Sequence, residues 1–204
     1  MKSLKVCKVY KVYKVKSIKD GRLKNKTATE IMDYREHLLR PLSKCFVYHL
    51  VQEIFANPAD FEIVYQLMFD KEIKVAWRAA WACQKISEKF PEWFTELRFQ
   101  EITNLAISTA HGGLQRGCVS ILYNLKIPEP IPVDLLNACY EWMISPRFPI
   151  AVQAFSMKII YEICLREPDL IPEFRTYLES ISPDDYSKGF NAPRNNILKK
   201  LIDK

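Results

Sequence analysis

From position 29 onward, apolar residues recur at three- and four-residue steps, the spacing that lines one face of an α-helix. A first segment over 29–40 is mostly polar, with Ile31, Tyr34, Leu38 and Leu39 on one side. Pro41 opens a second over 42–56, where Phe46, Val47, Leu50, Val51 and Ile54 make the stripe. Asn57-Pro58 ends it, because the residue before a proline avoids helical backbone. The pattern predicts a third helix over 59–69, with Asp60 near its start, and a fourth over 71–90 capped by Asp70. Further helices are expected over 92–110, 114–125, 133–144, 148–166, 171–180 and 191–203. A break falls at His111-Gly112-Gly113, and Pro128, Pro130 and Pro132 stiffen one linker. No run in this body alternates cleanly between apolar and polar, as a half-buried strand would.

Aligning the second helix of successive pairs exposes a repeat. VAWRAAWACQKI from Val75 lines up with GLQRGCVSILYN from Gly113, IAVQAFSMKIIY from Ile150 and NAPRNNILKKLI from Asn191, at intervals of 38, 37 and 41 residues. The fourth place holds a long polar residue each time: Arg78, Arg116, Gln153 and Arg194. Small or compact residues follow it (Ala79 and Ala80, Gly117 and Cys118, Ala154), as close helix approach requires. One such pair cannot bury its apolar faces alone, so pairs must stack into a continuous core. The expected fold is all-α, a right-handed α-α superhelix: a short solenoid of about four to five antiparallel helix pairs over residues 29–204, preceded by a basic low-complexity tail over 1–28.

Pro58 and Asp60 near the start of a first helix, then Asp70, Val75, Arg78 and Ala79, resemble the HEAT/armadillo-like helical-repeat superfamily over residues 29–203. The stretch KVAWRAAWACQKISEKFPEWF is also similar to small bacterial helical-repeat proteins, a likeness that brings no activity with it. The resemblance implies that the recurring Arg78, Arg116 and Arg194 tie neighbouring repeats together through acidic partners.

Composition agrees with a helical body. Only 5 glycines occur in 204 residues, which disfavours the tight turns of sandwiches and barrels. No stretch approaches the roughly 18 apolar residues that cross a bilayer, and no apolar core of a secretory signal stands at the N-terminus. The net charge of +6 suggests a nucleic-acid binder until the chain is divided. Residues 1–26 hold ten basic residues against Asp20 alone, a net of +9, which leaves the remainder at −3. Lys2, Lys5, Lys8, Lys11 and Lys14 recur at period three, matching neither helix nor strand. That tail reads either as a basic arm for an acidic surface or nucleic acid, or as low-complexity translation ahead of a true start at Met32.

Candidate chemistry is sparse. The six cysteines (Cys7, Cys45, Cys83, Cys118, Cys139, Cys164) lack CxxC spacing, and five fall inside helical apolar patterns. They read as buried small hydrophobes in a reducing cytoplasm. His37, His49 and His111 are the only histidines and form no metal-ligand spacing; no nucleophile elbow or glycine-rich phosphate loop is present. No metal, cofactor or catalytic residue is therefore expected, and no membrane partner. Trp77 and Trp81, four apart, share a helix face with Gln84 and Glu88. They read either as an aromatic strip on a concave binding wall, with Arg78 and Arg116 alongside, or as packing, since the later helix puts Val152, Ser156, Ile159 and Ile163 on that face.

The chain is also similar in size and in its Trp-rich second helices to HEAT-like alkylpurine DNA glycosylases, whose pattern includes an Asp one turn after a groove Trp. Here Trp81, Lys85, Leu97 and Pro146 stand one turn after Trp77, Trp81, Trp93 and Trp142. The missing carboxylate and a body at −3 weaken that alternative. The expectation is a non-enzymatic module whose concave face holds a protein or peptide. Nucleic acid is expected to be a partner of the basic tail, if of any part.

Overall fold

The structure, a computed structural model, describes residues 33–41 and 44–202. The readings of the 1–28 tail, of Met32 and of Ile31 lie outside those residues. Among the described residues ten α-helices follow one another: α1 (Tyr34–Leu39), α2 (Lys44–Ala56), α3 (Phe61–Gln66), α4 (Ile73–Ser87), α5 (Glu96–Ser108), α6 (Gly112–Asn124), α7 (Val133–Ile144), α8 (Ile150–Arg166), α9 (Ile171–Ser180) and α10 (Lys188–Ile202). They form five pairs, and the described residues contain no strand.

The helix starts follow local chemistry. Thr95 Oγ1 accepts from the Arg98 N–H, and His111 Nδ1 from that of Leu114, each satisfying a donor the first turn leaves free. The third helix is shorter than its pattern predicts. Pro58–Asp60 and Leu67–Phe69 wind as 3-10 turns on either side of a six-residue α-helix. Asp70 does not cap α4 directly. Glu72 is the cap, and Asp70 holds the approach: its Oδ1 accepts from the Glu72 N–H at 2.8 Å while Arg35 donates to its Oδ2 at 2.6 Å. The expected break at His111-Gly112-Gly113 is instead a helix start, with both glycines in the first turn of α6.

The second helices pack against one another along the stack, α4 on α6, α6 on α8 and α8 on α10. The closest first-helix neighbours, α5 and α7, touch only slightly. The second helices therefore form the inner layer of the stack. Close approach there depends on small residues. A Cβ added at Gly117 would meet Ala80 Cβ at 2.9 Å and the Ala80 carbonyl carbon at 3.4 Å. One apolar core runs through all five pairs, from Tyr34 and Leu38 to Ile197 and Leu201.

The repeated long polar residue is real, but its register differs from the aligned one. Gln115, 4% exposed, takes the place predicted for Arg116, which is exposed. Gln115 Nε2 donates to the Ala106 carbonyl, Gln153 Nε2 to those of Ser145 and Phe148, and Arg194 Nε to that of Leu178. Each closes the frayed C-terminal end of the first helix in its own pair, where carbonyls lack intrahelical partners. Arg78 differs, reaching out of its pair to the Leu38 and Arg40 carbonyls at 2.5 and 2.7 Å. For Arg78 and Arg194 the expected acidic partners are thus replaced by main-chain carbonyls, and Arg116 is exposed instead. Carboxylates do join neighbouring pairs elsewhere: Arg98 pairs with Glu62, and the Tyr65 hydroxyl donates to Glu101 at 2.6 Å.

Candidate functional site

Along α4 and its C-cap an accessible stripe runs Lys74, Trp77, Trp81, Gln84, Lys85 and Glu88, at helical spacing along the inner layer. Trp77 and Trp81 are half-buried, packed against the core with the rest of each ring accessible. Their rings stack at 6.4 Å between centroids, 14° from parallel. Trp77 also stacks on His111 at 6.3 Å, which carries the line from α4 to the start of α6. Both rings thus pack against the core while remaining partly exposed.

Arg78 lies beneath the line rather than on it. It is 7% exposed, its guanidinium carbon stands 5.4 Å from the centre of the Trp77 ring, and burial pushes its pKa below the usual arginine value. Gln84 is half-buried on the same stripe, and Arg116 projects from the neighbouring helix α6. Four of the five predicted residues thus share the inner layer's accessible side, and the fifth supports it from below.

The structure adds residues that sequence reasoning passed over. Tyr123 on α6 and Phe155 on α8 lie 5.5 Å apart, with Lys158 Nζ 5.1 and 5.0 Å from their centroids. Further along, Lys200 Nζ on α10 stands 5.3 Å from the Tyr161 ring on α8. The signal was a lysine three residues after Phe155, which puts both on one helix face; which helix they would meet was not in the sequence. Beside Tyr123 a cleft of about 400 Å³ opens between α6 and α8, with Ile159, Glu162 and Leu165 on its walls.

The four described thiols, Cys83, Cys118, Cys139 and Cys164, are free and buried. Burial pushes Cys118 and Cys139 up to about 12 and Cys164 to about 11, so none is a thiolate near neutrality. Cys7 and the Cys45 side chain lie outside the described residues. Among the described residues no cluster of three His, Cys, Asp or Glu could hold a metal ion, and no helix is long and apolar enough to cross a membrane.

A family model described as a HEAT repeat domain matches residues 34–201. No curated protein matches the chain, and no solved structure does.

Proposed function

Because the chain belongs to the HEAT repeat family, we propose that it is a non-enzymatic interaction module whose inner, second-helix face holds a protein or peptide partner. The observation that carries this reading is the presence of two groups of half-buried aromatic rings on the second helices, Trp77 with Trp81 on α4 and Tyr123 with Phe155 between α6 and α8. Half-buried aromatics supply contact area that is already ordered, so docking against them costs little conformational entropy. Gln84 and Arg116 add polar contacts at the edges, and Arg78 fixes Trp77 from below.

Affinity capture from native lysate tests the reading, with wild type set beside Trp81→Ala/Arg116→Glu. Wild type should retain a partner that the double variant releases, at unchanged helical circular dichroism. Equal capture by the two proteins would remove the inner face from the interaction. Gel shifts with and without residues 1–26 address the nucleic-acid alternative, which tight DNA binding by the tail-less chain would favour.

A further inference from the structure

The −3 of the body conceals a strong polarisation between its two layers. The second helices α2, α4, α6, α8 and α10 contain eleven Lys and Arg against two acids, Glu53 and Glu162, a net of +9. The first helices α1, α3, α5, α7 and α9 contain three arginines against eight acids, a net of −5. The excess on the inner layer follows the accessible stripe, where Lys74, Arg116, Lys158 and Lys200 stand against Glu88 and Glu162. Glu88 is already engaged by Lys85 at 2.5 Å. A net-negative body therefore carries a positive face.

Nucleic acid and acidic protein both complement such a face, and the rings decide between them. Binding of single strands relies on bases stacking on open aromatic faces. Here the rings already carry partners: Trp77 has Trp81, His111 and the Arg78 guanidinium beside it, Trp81 has Trp77, and Tyr123 and Phe155 share the Lys158 ammonium. The cations beside those rings carry positive charge and suit carboxylates. Spacing points the same way. Packed helix axes lie about 8–10 Å apart, and a polyproline II chain returns to one side every three residues, about 9 Å.

We infer that the inner face takes an extended acidic segment of a partner protein, lying across α4, α6, α8 and α10 and presenting a carboxylate at about every third residue. This rests on the interaction reading above and adds the chemistry of its partner. Arg116 on α6, Lys158 on α8 and Lys200 on α10 receive successive carboxylates, and the apolar intervening residues run over the rings.

Fluorescence anisotropy with the full chain tests the inference, using the labelled peptides (Glu-Pro-Pro)5, (Gln-Pro-Pro)5 and (Lys-Pro-Pro)5 and the oligonucleotide dT15 as probes. The basic tail is common to every protein compared, so differences between variants report the face. Arg116→Glu/Lys158→Glu should weaken the acidic peptide about tenfold, leave the glutamine peptide unmoved and strengthen the lysine peptide. An acidic peptide indifferent to the double reversal would overturn the inference, and so would a loss of dT15 binding exceeding that of the peptide. Lysate capture with Trp81→Ala/Arg116→Glu separates the two levels. A partner lost there while the acidic peptide ignores charge reversal defeats the acidic chemistry alone; capture unchanged as well defeats the docking face itself.

Discussion

Replacing Arg78 with methionine keeps most of the side-chain volume and removes the guanidinium. Two hydrogen bonds disappear, to the Leu38 carbonyl at 2.5 Å and the Arg40 carbonyl at 2.7 Å, and the first of these acceptors is buried. Bonds from a charged donor contribute about 1.5–3 kcal/mol each, which sets a gross loss of roughly 3–6 kcal/mol. Part is returned, because the buried charge goes too and its Nε has no partner to lose. A net cost near 2 kcal/mol remains, or a fall in Tm of about 4–8 °C for a domain of this size. Two companions make the measurement decisive. Gln115→Leu removes a single neutral bond of 3.2 Å and should cost about 1 kcal/mol, whereas Arg116→Leu, on an exposed side chain, should stay within about 0.5 kcal/mol. Thermal melts followed at 222 nm read all three. Arg116→Leu costing as much as Gln115→Leu would return the repeat to the register read from sequence, and an unchanged Tm in Arg78→Met would refute the carbonyl-closing role.

Other expectations follow from the same structure. Tyr34 and Tyr65 are pushed above their usual pKa near 10 by burial and then by their bonds to Asp60 and Glu101, and the buried thiols rise from about 9. Raised acids bind protons more tightly when folded, so their stabilisation is complete below the unfolded values and is lost as pH climbs through the folded ones. The urea midpoint should therefore hold to about pH 8.5 and fall from pH 9 to 11; a flat profile over that range contradicts the assignment. Iodoacetamide at pH 8 with peptide mapping should spare Cys83, Cys118, Cys139 and Cys164 until denaturant is added, and labelling of any of them in the folded chain would contradict their burial. Gly117→Val should cost about 1–3 kcal/mol by forcing α4 from α6, and Ala80→Gly in the same chain should recover part of it.

Much of the architecture was legible in the sequence, because prolines bracket most helices and the apolar stripes keep helical spacing between them. The boundaries of α7 and α9 match the expected 133–144 and 171–180. Where reading failed, adjacent residues offered equal choices. Gln115 and Arg116 are both long and polar, and only the packing of α6 shows which one turns inward. The glycines before them looked like a turn, yet among the described residues no glycine has positive φ. Gly112 is needed for room, since a Cβ there would lie 2.9 Å from Pro149 Cγ. Of the candidate face, Trp77 and Trp81 were visible as an i, i+4 pair on one helix. The Tyr123–Phe155–Lys158 group was not, because it forms between helices more than thirty residues apart. The balance of charge between layers escaped for the same reason: a whole-body total adds first and second helices together.

The direction in which the closing side chains reach also bears on how such a chain could lengthen or shorten over time. In the α5–α6, α7–α8 and α9–α10 pairs this tie runs from second helix to first, so a copied pair would bring that fastening with it. The α3–α4 pair cannot, for Arg78 spends its donors on Leu38 and Arg40 in the pair before it. A duplication that began at α3 would bring a second Arg78 with no α1 to receive it, leaving a buried guanidinium without acceptors. The first two pairs thus share one tie, and a copy of the α3–α4 pair alone would lose it.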